Sequence, residues 1–143
     1  MTSGTESLIA AYEATRYRVC DPLHDFVLRI GEPSVGLLAL YEMHGVRSAA
    51  YLTAYNPYSH VTPDEQNRAA QAALLGDLDS AGAVVLVAQG EGTIGDWPPE
   101  PSVLAIGLSR DEAEVLGRRY KQNAVVWIGA DAVPQLVLLE PMK

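Results

Sequence analysis

The sequence predicts an α/β fold of the mixed α+β kind: a central mixed sheet of about five to seven strands with flanking helices. Three observations carry this. Short apolar runs of strand length, A-V-V-L-V-A at Ala83–Ala88 the clearest, alternate with stretches of helical period. Two capping-box signatures, T-P-D-E from Thr62 and S-R-D-E from Ser109, mark helix starts between such runs. The 143 residues suffice for one core and show no repeat, linker or low-complexity tract, so residues 1–143 are expected to form a single globular domain.

Taken in order, Ser3 or Thr5 is placed to cap a first helix with Leu8, Ile9 and Tyr12 on its apolar face. Tyr17–Cys20 reads as a strand, Asp21-Pro22 as a turn, and Asp25–Ile30 as the next strand. Ser34 caps a second helix striped by Leu37, Leu40, Tyr41 and His44 and stopped by Gly45. A strand from Val46 to Tyr55 follows. The third helix has Thr62 as N-cap, Pro63 at N1 and Glu65 closing the box, with Gly82 beyond its end. Its inward stripe reads Asn67, Ala70, Leu74, Leu78 and Ala81, widened by Ala69, Ala72 and Ala73. Ala83–Ala88 is the next strand, Gln89–Pro101 a loop, and Val103–Leu108 a strand. The helix opened by Ser109 carries Ala113, Leu116 and Tyr120. Ala124–Ile128 and Gln135–Leu139 close the chain, giving the order αββαβαββαββ.

One end of this sheet is chemically distinctive. If the strand from Val46 and the strand Ala83–Ala88 run parallel through a right-handed crossover, their carboxyl ends share an edge. Val103–Leu108 and Ala124–Ile128 then start at that edge. This arrangement gathers Asn56, Ser59, Asn67, Trp97, Glu100, Ser102, Gln122 and Asn123. Strand ends followed by helix starts are favoured ligand sites. The bland account is that amides and hydroxyls at element ends serve backbone groups. Glu100, flanked by Trp97 and prolines, is the one candidate catalytic carboxylate, because desolvation would raise its pKa toward a useful range; the alternative is an exposed loop glutamate.

Several chemistries fall away. Gly90–Gly95 matches G-x-G-x-x-G, yet the prolines that follow cannot open the phosphate-binding helix this motif needs. No cofactor is expected. His24, His44 and His60 lack ligand spacing, so no metal site is expected either. Cys20, four residues from His24, reads as a small hydrophobe rather than a nucleophile. Ten basic against 18 acidic residues make nucleic acid and anionic membrane poor partners. The cluster Arg118, Arg119 and Lys121 complements a helix dipole. A single cysteine, an N-terminus without a basic leader and no apolar run of membrane length lead to the expectation of a cytoplasmic protein.

Three blocks together resemble an uncharacterised bacterial family, domain of unknown function family 3293. They are T-A-Y-N-P-Y-S at Thr53–Ser59 followed by Asn67; Trp97 with Glu100 and Ser102; and Q-N-A-V-V-W-I at Gln122–Ile128 followed by Leu136–Leu139. The likeness runs from about Tyr17. It departs from the family's W-x-E-x-S pattern in that two prolines separate Trp97 from Glu100. The resemblance implies no activity, cofactor or partner.

Two readings from different classes stay open. The first is a site for a polar small molecule, catalytic or not, using Asn56, Asn67, Glu100, Ser102 and Gln122. The second is a protein-interaction or regulatory module, or a homo-oligomer, whose acidic surface presents Tyr51, Tyr55 and Tyr58. A deep pocket holding the amides favours the first; a flat tyrosine patch favours the second.

Overall fold

The computed structural model describes residues 4–93 and 98–139. Its elements follow the expected order: α1 (Gly4–Ala14), β1 (Arg16–Asp21), β2 (His24–Leu28), α2 (Val35–His44), β3 (Ala49–Leu52), α3 (Asp64–Ser80), β4 (Val84–Glu91), β5 (Glu100–Ile106), α4 (Arg110–Arg119), β6 (Ala124–Ile128) and β7 (Pro134–Leu138). The residues expected to cap α1, Ser3 and the side chain of Thr5, lie outside the described residues. All seven strands form one sheet in the order β2-β1-β4-β5-β3-β6-β7. Every pairing is antiparallel. Strands β3 and β4 do run in the same direction, but β5 lies between them rather than the two being neighbours.

Local chemistry accounts for most boundaries. In the β1–β2 hairpin the Asp21 carboxylate accepts the Leu23 N–H at 3.0 Å, closing the turn over Pro22. Ser34 caps α2 by accepting from the Leu37 N–H, and Gly45 ends it in the left-handed conformation (φ 65°) that glycine adopts without strain. The box at α4 is complete: Ser109 accepts from Glu112 N–H and Glu112 accepts from Ser109 N–H, at 3.1 and 3.0 Å.

Four expectations need correction. The α3 box does not form. Pro63 takes the N-cap position, and the Thr62 hydroxyl donates to the His60 carbonyl instead of capping the first turn. The Thr62 N–H is already committed to Asn56 Oδ1, which holds the residue one step outside the helix. The stripe of α3 is Asn67, Gln71, Leu74 and Leu78, with Ala69, Ala72, Ala73 and Ala81 exposed. Gln71 is buried because its side chain accepts the Ala54 N–H at 2.8 Å, just beyond the end of β3. On α2, His44 is exposed rather than part of the stripe. Finally, the stretch given to a loop from Gln89 to Pro101 is mostly ladder: β4 and β5 pair out to Gly90 opposite Glu100.

The sheet has a core on each face, as strand alternation requires. One face sets Val19, Leu86, Leu104, Ile106, Tyr51 and Ile128 against Leu37, Leu40 and Tyr41 of α2. The other sets Ala50, Leu52, Val103, Ala105 and Val125 against Leu74 and Leu78 of α3 and Ala113 and Leu116 of α4. Gly117 lets α4 lie close, since a Cβ there would stand 2.6 Å from atoms of Val125 and Leu139. The sheet curls. Beyond β2 the Gly31 N–H donates to the Pro134 carbonyl at 2.9 Å, and the Ser34 N–H donates to the Ala132 carbonyl at 3.0 Å. Among the described residues no helix is long and apolar enough to cross a membrane.

Candidate functional site

The antiparallel registers bring five strand ends to one rim. Leu52 at the end of β3 pairs with Val103, Gly90 near the end of β4 pairs with Glu100, and Tyr17 at the start of β1 pairs with Gly90. Strand β6 starts there too, since Tyr51 pairs with Val126. Past β3 the chain turns sharply through Pro57–Ser59. Asn56, Tyr58 and Ser59 all take positive φ, at 48°, 54° and 62°. Such values are costly for side-chain-bearing residues and persist only where other contacts dictate them. Here the Tyr58 N–H donates to the Lys121 carbonyl at 2.7 Å and the Ser59 N–H to the Asn56 carbonyl at 2.8 Å.

Asn56 joins the two faces of the sheet. Its backbone N–H donates to Asn67 Oδ1 at 2.8 Å, and Asn67 Nδ2 donates back to Asn56 Oδ1 at 2.9 Å. Asn67 Nδ2 also reaches the Thr62 carbonyl, and the Thr62 N–H donates to Asn56 Oδ1, both at 3.1 Å. A backbone N–H can only donate, so Asn56 must present its oxygen on that side. Its Nδ2 therefore faces β5 and donates to Glu100 Oε2 at 3.0 Å.

Above this network lies a cavity of about 200 Å³. Its wall includes Leu8, Tyr12 and Thr15 from α1 and the turn after it, Tyr17 from β1, and Tyr51 with the segment to Ser59. Gly90, Glu100, Ser102 and Gln122 complete the polar side. Burial lifts the Glu100 carboxyl above its usual range, and the Asn56 N–H opposes this without cancelling it. The Tyr12 phenol is also raised, chiefly by burial, with Ser59 hydrogen-bonded to it and the Glu100 charge adding to the rise. Tyr17 and Tyr51 are held neutral by burial. Their rings meet edge to face, centroids 5.1 Å apart. A carboxyl poised above its ordinary pKa beside a cavity can accept or donate a proton, or hold a positive charge.

Of the residues singled out in the sequence, Asn56, Ser59, Glu100, Ser102 and Gln122 line the cavity. Asn67 sits behind Asn56 and orients it. Asn123, 1% exposed, donates to the Ser59 hydroxyl at 3.2 Å. Trp97 lies outside the described residues, as do Ile94 and Gly95 of the glycine-rich stretch; Gly90 and Glu91 are strand rather than loop. The tyrosines require correction. Tyr51 is 5% exposed and packs in the core, while Tyr55 and Tyr58 are half-buried, so they form no flat exposed patch. Sequence reasoning missed Tyr12, Thr15 and Tyr17 as wall residues. The alternation of Tyr51, Thr53 and Tyr55 opposite Ala50, Leu52 and Ala54 was the available signal for the β3 side. Nothing local points to α1. Thr53 serves the backbone, donating to the Pro101 carbonyl at 2.8 Å. No group of three or more metal-ligating side chains occurs among the described residues.

A family model described as "Protein of unknown function (DUF3293)" matches residues 52–125. That span is narrower than the one from Tyr17 and includes Asn56, Asn67, Glu100 and Gln122, but not α1 or β1. None of the curated proteins and none of the solved structures matches the chain.

Proposed function

The chain belongs to the DUF3293 family of proteins of unknown function, and on that footing we propose that it binds a small polar molecule in the cavity at the carboxyl end of β3. One observation carries this reading: a desolvated carboxyl, Glu100, set by an ordered amide pair in the wall of an open space. Burying a carboxylate in a cavity wall costs stability that a purely structural role would avoid. The strained turn from Asn56 to Ser59 points the same way, since such strain concentrates at ligand sites. A space of about 200 Å³ holds the volume of roughly six or seven waters, which sets the ligand at fragment size. Chemistry at this site would be proton transfer to or from the ligand, with Glu100 as acid or base and Asn56, Ser59 and Gln122 as positioning groups.

The test is a nuclear magnetic resonance screen of small polar metabolites with a cavity-blocking control. Gly90 lines the cavity at an ordinary φ, and a Cβ there would meet nothing closer than 3.9 Å. Gly90→Val should therefore fold and narrow the space. The expected result is hits that shift signals of Ser59, Glu100 and Gln122 in the parent and not in Gly90→Val. Hits that bind both proteins equally, or no hit at millimolar concentration, would overturn the assignment.

A further inference from the structure

Resting on that reading of the cavity, we propose that its ligand carries a positively charged, donor-rich group: a small primary ammonium or amidinium seated against Glu100 and among tyrosine rings. Several donors of the wall are already committed. Gln122 Nε2 donates to the carbonyls of Tyr55 and Tyr120, both at 3.2 Å. The hydroxyls of Ser102 and Thr15 donate to the Glu100 and Ala11 carbonyls, at 3.0 and 2.7 Å. The phenols of Tyr17 and Tyr51 donate to the Tyr12 and Arg18 carbonyls, at 2.6 and 2.9 Å. A carbonyl only accepts, so the direction of each bond is settled. The wall has thus spent these donors on its own backbone. It offers lone pairs in return: Gln122 Oε1 and the Glu100 oxygen beyond the one Asn56 holds.

Charge agrees with this count. The described wall includes one carboxylate and no Lys, Arg or His, so an anion would meet repulsion from Glu100. Four tyrosines, Tyr12, Tyr17, Tyr51 and Tyr55, line the same space. With their O–H groups turned to the backbone, Tyr17 and Tyr51 present ring surface, and aromatic rings attract cations. The formal charge of −8 draws cations toward the molecule as a whole. The second Nδ2 proton of Asn56 and the Tyr55 hydroxyl are donors that can serve one further acceptor on the ligand. Leu8 and Val126 supply an apolar side for a short aliphatic or single-ring tail.

The experiment compares matched probes by nuclear magnetic resonance titration: butylamine and benzylamine, the corresponding alcohols, and butyrate and benzoate. Both amines should shift the cavity signals and bind roughly tenfold or more tightly than the alcohols, with the carboxylates weaker still. Glu100→Gln should erase the preference. The parent supplies an independent readout if that variant folds poorly. Amine affinity should fall on acidification as Glu100 takes up its proton, and alcohol affinity should not. The titratable groups facing Glu100 are the Tyr12 and Tyr17 phenols, both raised by burial and so neutral throughout that range. Alcohols or carboxylates binding as tightly as amines would overturn the cation assignment while leaving the ligand site standing. Silence from all three classes would overturn the assignment too, and the wider metabolite screen then decides the site itself.

Discussion

Asn67 makes three hydrogen bonds at 4% exposure, to the Asn56 backbone, the Asn56 side chain and the Thr62 carbonyl. Asn67→Ala leaves the Asn56 N–H without its acceptor and removes one of the two donors that fix the amide facing Glu100. The variant should lose about 1–3 kcal/mol in denaturant unfolding. It should also weaken any cavity ligand, because Asn56 Oδ1 is then held by the Thr62 N–H alone. Glu100 gives a prediction in pH. Its folded pKa is raised, so the folded state holds the proton that the unfolded chain releases near its ordinary value of about 4.3. The contribution of Glu100 is therefore fully present below that value and is lost as pH rises through the folded pKa. Glu100→Gln does not titrate. Thermal unfolding of parent and variant, followed from about pH 3.5 to 7.5, should show the variant gaining relative to the parent as pH rises. A variant that stays level with the parent or loses ground to it as pH rises would contradict the burial of that carboxyl.

The two helix starts show what an element takes from its own sequence and what it takes from elsewhere. At α4 the box forms as its sequence dictates, and Ser109→Ala should cost about 0.5–2 kcal/mol. At α3 the same signature is overridden, because Asn56 has claimed the Thr62 N–H. Thr62→Ala removes only an exposed hydroxyl bond to His60 and should stay within about 0.5 kcal/mol. Chemical denaturation of the two variants side by side separates the cases. Helix and strand order was legible because each element carries its own period and caps. The β4–β5 hairpin was not, since Gly90, Gly92 and the prolines near Pro98 read as loop, whereas ladder partners on β5 keep Gly90 extended. Gly117→Ala tests the close seat of α4. The rigid Val125 has little room to yield, so a loss of about 1–3 kcal/mol is expected in the same assay.

Across the whole molecule, cores on both faces share the strands that separate them. We propose that residues 1–143 unfold as one domain, and tryptophan fluorescence and far-ultraviolet circular dichroism should then give coincident transitions. The polar half of the cavity was legible from strand direction, because Asn56, Glu100 and Gln122 stand at strand ends whose order follows from connectivity. Its aromatic half was not. Tyr12 and Tyr17 reach Glu100 only through the pairing of β1 with β4, a contact made across about seventy residues of chain that no local pattern encodes. The curl that closes this pairing also bears on self-association. Outer strands of a sheet offer unpaired backbone groups on which other chains can polymerise. Here β2 and β7 are five residues each, and the bonds from Gly31 to Pro134 and from Ser34 to Ala132 turn their ends toward each other. The two bonds tie an end of each outer strand to the other, and a substitution that opened this seam, Gly31→Pro for instance, would free margins on which other chains can pair.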